Sequence, residues 1–296
     1  MTSLIEQAAH RLEQLRQAGA DLPESPALAS SSLPERKLGS NTDPSALSRL
    51  VEIDLNALTQ AGIVSPNAPR SQIADQYRVI KRPLIDNAMR KGASAIANGN
   101  LIMVTSALPG EGKTFTAINL AMSIATELDC TVMLVDADVA RPSVLRVLGL
   151  PAGPGLLDLV LDDATELSRM LMRTSIEKLT ILPSGTPHQR ATELLASDAM
   201  TRLLRDMAKR YSDRIIVFDS PPLLLATESR VLASHMGQIV MVVQAEKTLQ
   251  SEVSQALATI EACPVKLMLL NQARTAFKGG YEYGYAYGYG RAEQHA

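Results

Sequence analysis

Lys113 and Thr114 close the run Ala107-Leu-Pro-Gly-Glu-Gly-Lys-Thr, a small residue followed by four others and then Gly-Lys-Thr. Residues of these types at this spacing suit a polyphosphate. Gly110 and Gly112 let backbone N–H groups approach an anion closely. The Lys113 ammonium is a point charge for β- and γ-phosphates, and the Thr114 hydroxyl is a ligand for Mg²⁺. The nucleotide contacts expected here are Pro109, Gly110, Glu111, Gly112, Lys113, Thr114 and Phe115. An apolar run precedes this loop. The helical pattern TAINLAMSIATEL follows it, with Ile118, Met122 and Ala125 on one face, which is the strand–loop–helix context a phosphate-binding loop requires.

Two more apolar runs end in acids. Val132-Met-Leu-Val leads to Asp136-Ala-Asp138 and then Arg141-Pro142, and Ile215-Ile-Val-Phe leads to Asp219-Ser-Pro-Pro. In an open parallel sheet ligands bind beyond the C-terminal strand ends, so these acids fall on the edge that carries the loop. A single acid there could cap a helix, but three facing one phosphate loop call for a divalent cation. Asp219 is expected to hold Mg²⁺ through water, Asp138 to be a second acid near the ion, and Asp136 to be the base that takes the proton of an attacking hydroxyl. Lys113, Asp136, Asp138 and Asp219 are thus the catalytic candidates, and Thr114, Asp138 and Asp219 the metal candidates. Asn271, after the last apolar run, is a candidate base-reading amide or a plain turn residue, and Arg274 is a weaker candidate.

The elements that must position these groups read as alternating strands and helices. Runs at 101–105, 131–136, 179–183, 215–219, 239–244 and 265–271 are nearly continuously apolar, which predicts strands buried on both faces of a parallel sheet covered by helices. Before them, Ile73, Tyr77, Ile80 and Leu84 step along one face of a helix that Pro83 should kink or end. The fold class expected is α/β, a P-loop NTPase-type, mostly parallel sheet flanked by helices, over residues 71–275.

The flanks differ in composition. Residues 1–20 read as a short amphipathic helix, with Leu4, Ile5, Ala8, Leu12 and Leu15 at helical spacing. The Pro- and Ser-rich stretch 21–70 reads as a linker, with a possible short element in VEIDLNALTQAGI. Residues 276–296 read as a flexible tail, where Tyr281, Tyr283, Tyr285, Tyr287 and Tyr289 alternate with Glu, Gly and Ala. With a 46% apolar and 20% charged chain of net charge −2, wholesale disorder and a basic nucleic-acid surface are not expected. No apolar run is long enough to span a bilayer, and the N-terminus lacks a signal-peptide pattern. Two solitary cysteines and four scattered histidines predict a reducing cytoplasm and no zinc site.

The set VTSALPGEGKT, VMLVDADVARPSV and IIVFDSPPLL, with the tyrosine cluster after it, resembles the Walker A, Walker A′ and Walker B motifs of bacterial tyrosine kinases, which use a P-loop ATPase fold of the MinD/ParA class. That resemblance implies an ATP- and Mg²⁺-dependent protein-tyrosine autokinase that modifies its own tail tyrosines in trans and regulates exopolysaccharide synthesis and export. It also implies a separate membrane chain-length protein (Wzz-like) as activator, a homo-oligomer of possible ring form, an opposing phosphotyrosine phosphatase, no nucleic acid, and a cytoplasmic protein peripheral at the inner membrane. SLIEQAAHRLEQLRQAG and IADQYRVIKRPLI resemble the exosortase-associated subgroup. Against the family's Glu-x2-Arg-x2-Arg assembly motif stand Asp75, Arg78 and Lys81, with Arg82 next, and Glu228 is the acid nearest the place of a usual Asp after the Pro-Pro. Two rivals use the same loop. A MinD/ParA-type positioning ATPase would carry a lysine where Leu108 stands, and a regulatory, non-catalytic nucleotide-bound adaptor would not need the intact Lys113 and acids.

Overall fold

Strand formation follows the apolar runs. The computed structural model describes residues 49–66, 71–162, 164–211 and 213–273. Its eight strands are β1 (Arg49–Val51), β2 (Leu101–Ser106), β3 (Thr131–Asp136), β4 (Met172–Thr174), β5 (Leu179–Leu182), β6 (Arg214–Asp219), β7 (Gln238–Gln244) and β8 (Val265–Asn271). They form one sheet in the order β1-β4-β5-β3-β6-β2-β7-β8. Every neighbouring pair is parallel except β4 and β5. The α/β class and the six expected strands are therefore borne out.

Alternate residues of each central strand feed two separate cores, as the two-residue period of a strand requires. Ile102, Val104, Val132, Leu134, Ile215, Val217, Val240 and Val242 face one core, built with α1 (Leu55–Gln60), α2 (Gln72–Met89), α3 (Lys113–Ala125) and α4 (Val144–Val147). Leu101, Met103, Met133, Val135, Ile216, Phe218, Ile239 and Met241 face the other. That side is covered by α5 (Leu156–Leu161), α6 (Leu167–Met170), α7 (Ala191–Leu195), α8 (Asp198–Arg210), α9 (Thr227–Ala233) and α10 (Gln250–Ala258). Among the described residues no helix is long and apolar enough to cross a membrane.

Four expectations need correction. β8 is an edge strand whose Met268 and Leu270 are exposed while Leu267 and Leu269 pack inward, so it is covered on one face only. Within the linker expected over 21–70, the short element allowed for in VEIDLNALTQAGI is present, and the folded part is wider than that, residues 49–66. Residues 49–51 form β1 beside β4, α1 follows, and Val51, Ile53, Leu58, Ile63 and Val64 are buried. Pro83 does not end α2, which continues to Met89. Pro83 lies on the solvent side with Val79, 73% exposed, so the Val79 carbonyl that loses its helical donor can be hydrated.

The fourth concerns the assembly motif. Asp75 and Arg78 are exposed and pair with each other within one turn. Lys81 is 2% exposed and points into the fold. Its Nζ donates to Ser123 O (2.5 Å) and Thr126 Oγ1 (3.0 Å) and pairs with Glu127 at 2.7 Å. Arg82 reaches the same carboxylate from the surface at 3.1 Å. Lys81 thus ties α2 to the C-terminal end of α3 and is not free to meet another subunit.

Burial raises the Glu127 carboxyl, but the Lys81 and Arg82 hydrogen bonds and charges outweigh it and hold it below the usual glutamate range. A depressed carboxyl contributes stability above its unfolded pKa that is lost as pH falls through the folded value. Glu127→Ala, which strands a buried ammonium, should cost about 3 kcal/mol in urea unfolding at neutral pH. Lys81→Met, apolar and of similar volume, should cost less. The deficit of Glu127→Ala should shrink on acidification through the carboxylate range.

Candidate active site

The phosphate loop leaves β2 at Ser106 and enters α3 at Lys113. Gly112 caps the helix with φ +96°, and a Cβ there would lie 2.1 Å from Asn271 Nδ2, so both conformation and space demand glycine. Gly110 also has positive φ, +84°. Lys113 is buried at the helix start, where the dipole adds to its charge in attracting an anion. Phe115 packs its ring against the core beneath. Pro109 and Gly110 are exposed at the loop tip, and Glu111 is turned inward and buried. Asn271 Nδ2 donates one of its two N–H groups to Glu111 O at 2.8 Å, so the amide considered as a base reader also braces the loop. Arg274 and Tyr281, Tyr283, Tyr285, Tyr287 and Tyr289 lie outside the described residues.

Asp136 and Asp219 are register partners on adjacent strands, one ending β3 and the other β6. Asp219 is fully buried and neither carboxylate oxygen has a hydrogen-bond partner. Burial pushes its pKa up to about 8, opposed by the Thr114 hydroxyl and the Lys113 charge and reinforced by Asp136 and Asp138. Asp136 is 1% exposed. Its Oδ2 accepts from the amides of Ser143 and Val144, both at 3.0 Å, and its Oδ1 has no partner. Burial raises it to about 6, against those two amides.

Asp138 is only partly buried, and its Oδ1 accepts from Arg141 N at 3.1 Å. Burial raises it, the Arg141 amide and Lys113 lower it, and the Glu228 charge raises it. Glu228, in the first turn of α9, is 8% exposed and so stands among these acids. Thr114 Oγ1 lies 2.9 Å from Ser143 Oγ.

Lys113, Thr114, Asp136, Asp138 and Asp219 therefore meet at one sheet edge. Among the described residues no group of three acid, His or Cys side chains is placed to hold a metal ion by itself. The two orphaned oxygens of Asp219 fit a hard divalent cation. Mg²⁺ usually takes one or two carboxylates and draws its other ligands from substrate phosphate and water. Sequence reading passed over Ser143. Its place in the Arg-Pro-Ser stretch was visible, but its bond to Thr114 spans separate loops.

A carboxyl raised by burial contributes stability that is full below its unfolded pKa and is lost as pH rises through the folded value. Without ligand, stability should thus fall from pH 4 toward pH 8 through Asp219. Asp219→Asn should stabilise the ligand-free chain by about 2 kcal/mol near pH 8. The same variant should lose most of the added thermal stability that Mg²⁺ with nucleotide gives. Melting curves across pH, with and without that ligand, check both halves.

The sequence profile of the AAA domain family matches residues 99–272, from just before β2 to the end of β8. The tyrosine-protein kinase YwqD of Bacillus subtilis is 29% identical over 226 residues, covering 76% of this chain and 91% of YwqD. The tyrosine-protein kinase Wzc of Salmonella typhimurium is 28% identical over 190 residues, which cover 64% of this chain but 26% of Wzc. Among solved structures, the chimerical protein CapA2B2 superposes with a TM-score of 0.59 at 27% identity, over 75% of this chain and 94% of that one. The chain belongs to the AAA domain family, and the relatives it resembles there are bacterial tyrosine-protein kinases.

Proposed function

We propose that the chain is an ATP-dependent protein-tyrosine kinase that phosphorylates its own C-terminal tyrosine cluster, Tyr281, Tyr283, Tyr285, Tyr287 and Tyr289. The observation that carries this reading is the pairing of orphaned buried acids, Asp136 and Asp219, with Lys113 and Thr114 at the mouth of the phosphate loop. The tyrosine-kinase names of the relatives, and the tyrosine-rich segment on the same chain, select a phenolic hydroxyl over water as the attacking group.

In this mechanism the loop amides and Lys113 hold the β- and γ-phosphates of ATP, and α3 points its N-terminus at them. Mg²⁺, held by Thr114 and Asp219 with Asp138 near it, would neutralise charge on the transferring group. A tyrosine oxygen forms a bond to the γ-phosphorus as the bond to the ADP oxygen breaks. The phenolic proton passes to Asp136, whose free Oδ1 and pKa near 6 suit a proton acceptor at neutral pH.

In this reading the tail of one subunit enters the site of another. Each phosphotyrosine adds about −1.5 to −2 charge, so a modified tail loses its fit to a site holding phosphates and loosens the assembly. A membrane chain-length protein serves as activator, holding the kinase at the inner membrane, a phosphatase resets the tail, and the output is control of exopolysaccharide chain length.

Lys113→Met should lower phosphotyrosine by at least about a hundredfold, the scale of a lost transition-state charge contact, with an unchanged melting temperature. Mixing that variant with a tailless active chain and radiolabelled ATP tests the direction of transfer. Label on the tail of the dead partner is expected. Label released only as free phosphate would replace the kinase with an ATPase.

A further inference from the structure

Glu111 places a carboxylate inside a loop built for an anion, where a charge facing the phosphates would repel them. It is 2% exposed and faces away. Its Oε2 accepts from Leu108 N at 2.6 Å, and its Oε1 accepts from Thr248 Oγ1 at 2.5 Å and Gln244 N at 3.4 Å. Thr248 Oγ1 in turn accepts from Gln244 N at 3.2 Å. One carboxylate thus joins the start of the phosphate loop to the end of β7 and to the 245–249 connection that follows.

The loop is held from the other side through its carbonyls. Asn271 Nδ2 donates to Glu111 O at 2.8 Å and Gln272 Nε2 to Gly110 O at 3.5 Å. Gln244 Nε2 donates to Gln272 Oε1 at 2.6 Å, which closes the ring between β7 and β8. The contacts of the Glu111 carboxylate are half-buried, while the two that Gln272 makes are exposed, and a buried charge persists only where hydrogen bonds satisfy it.

We propose that Glu111 is a positioning residue for nucleotide binding, not a nucleotide contact through its side chain. Its carboxylate takes up the Leu108 N–H, fixes the peptide planes of the loop, and leaves the amides nearer the helix start for phosphate. The carbonyls of Gly110 and Glu111, which would repel phosphate if flipped, stay turned toward Gln272 and Asn271. Thr248 is the second half of the device, because it carries the hold from the loop to the sheet edge. The inference rests on the nucleotide reading of the site.

The test is titration of the full chain with a fluorescent ADP analogue in Mg²⁺, a measurement independent of phosphoryl transfer. Glu111→Ala should raise Kd about tenfold, the scale of a lost charge-assisted hydrogen bond. Glu111→Gln, which keeps the length and the acceptor oxygen, should recover much of that loss. Thr248→Val should raise Kd by itself, and should add little in the Glu111→Ala background. Wild-type affinity in a folded Glu111→Ala, or equal and additive losses from all variants with no recovery by Gln, overturns the proposal. Should Glu111→Ala fail to fold, an unchanged Kd in Thr248→Val overturns it. Absence of binding by the unaltered chain would instead overturn the nucleotide reading, and this inference with it.

Discussion

Two carboxylates on neighbouring strand ends constrain the rest of this structure. Parallel pairing brings Asp136 and Asp219 opposite each other, and adjacent strands lie only about 4.8 Å apart. Both are buried, and three of their four oxygens have no partner. Burial and mutual repulsion favour the protonated forms, so the arrangement is costly in isolation. The Lys113 ammonium and the Thr114 hydroxyl offset part of that cost. The surrounding elements hold those two groups in place.

The helix that carries Lys113 and Thr114 is held at both ends. At its start, the loop that feeds it is tied to the ends of β7 and β8 through Glu111, Asn271 and Gln272. At its far end, Lys81 of α2 takes Ser123 O, Thr126 and Glu127, and Lys178 donates to the carbonyls of Glu127 and Leu128. Carbonyls at a helix C-terminus have no intrahelical donors, and cations there also complement the helix dipole. A helix fixed in this way cannot retreat from the acids when they repel one another or advance when phosphate leaves. Precision at the site is thus supplied partly from a point a full helix length away.

Exposure differs across the acids. Asp219 and Asp136 are both sealed, at 0% and 1% exposed, and Asp138 is partly exposed beside Glu228. Asp136 and Asp219 have different proton affinities because the Ser143 and Val144 amides hold one and no amide holds the other. The bond between Thr114 and Ser143 links the phosphate loop to the same turn whose amides hold Asp136, so a shift of Asp136 would be felt at the Thr114 hydroxyl.

The sequence by itself determined the central strands, the phosphate loop and the strand-end acids, because each rests on local chemistry. Continuous apolar runs can be satisfied only between two helical layers, and Gly-x-Gly-Lys-Thr has few uses other than cradling an anion. It did not determine what long-range contacts decide. β1 and β4 are three residues each, too short to leave a pattern, and exist because the sheet edge offers them partners. Pro83 reads as a helix breaker until its solvent-facing position is known. Lys81 reads as a surface charge in an assembly motif, and only the packing of α2 on α3 shows that it is buried against Glu127. Glu111 reads as one more residue of a nucleotide loop. Only the tertiary structure turned its carboxylate toward Thr248, 137 positions along the chain, because only folding brings the end of β7 beside the loop.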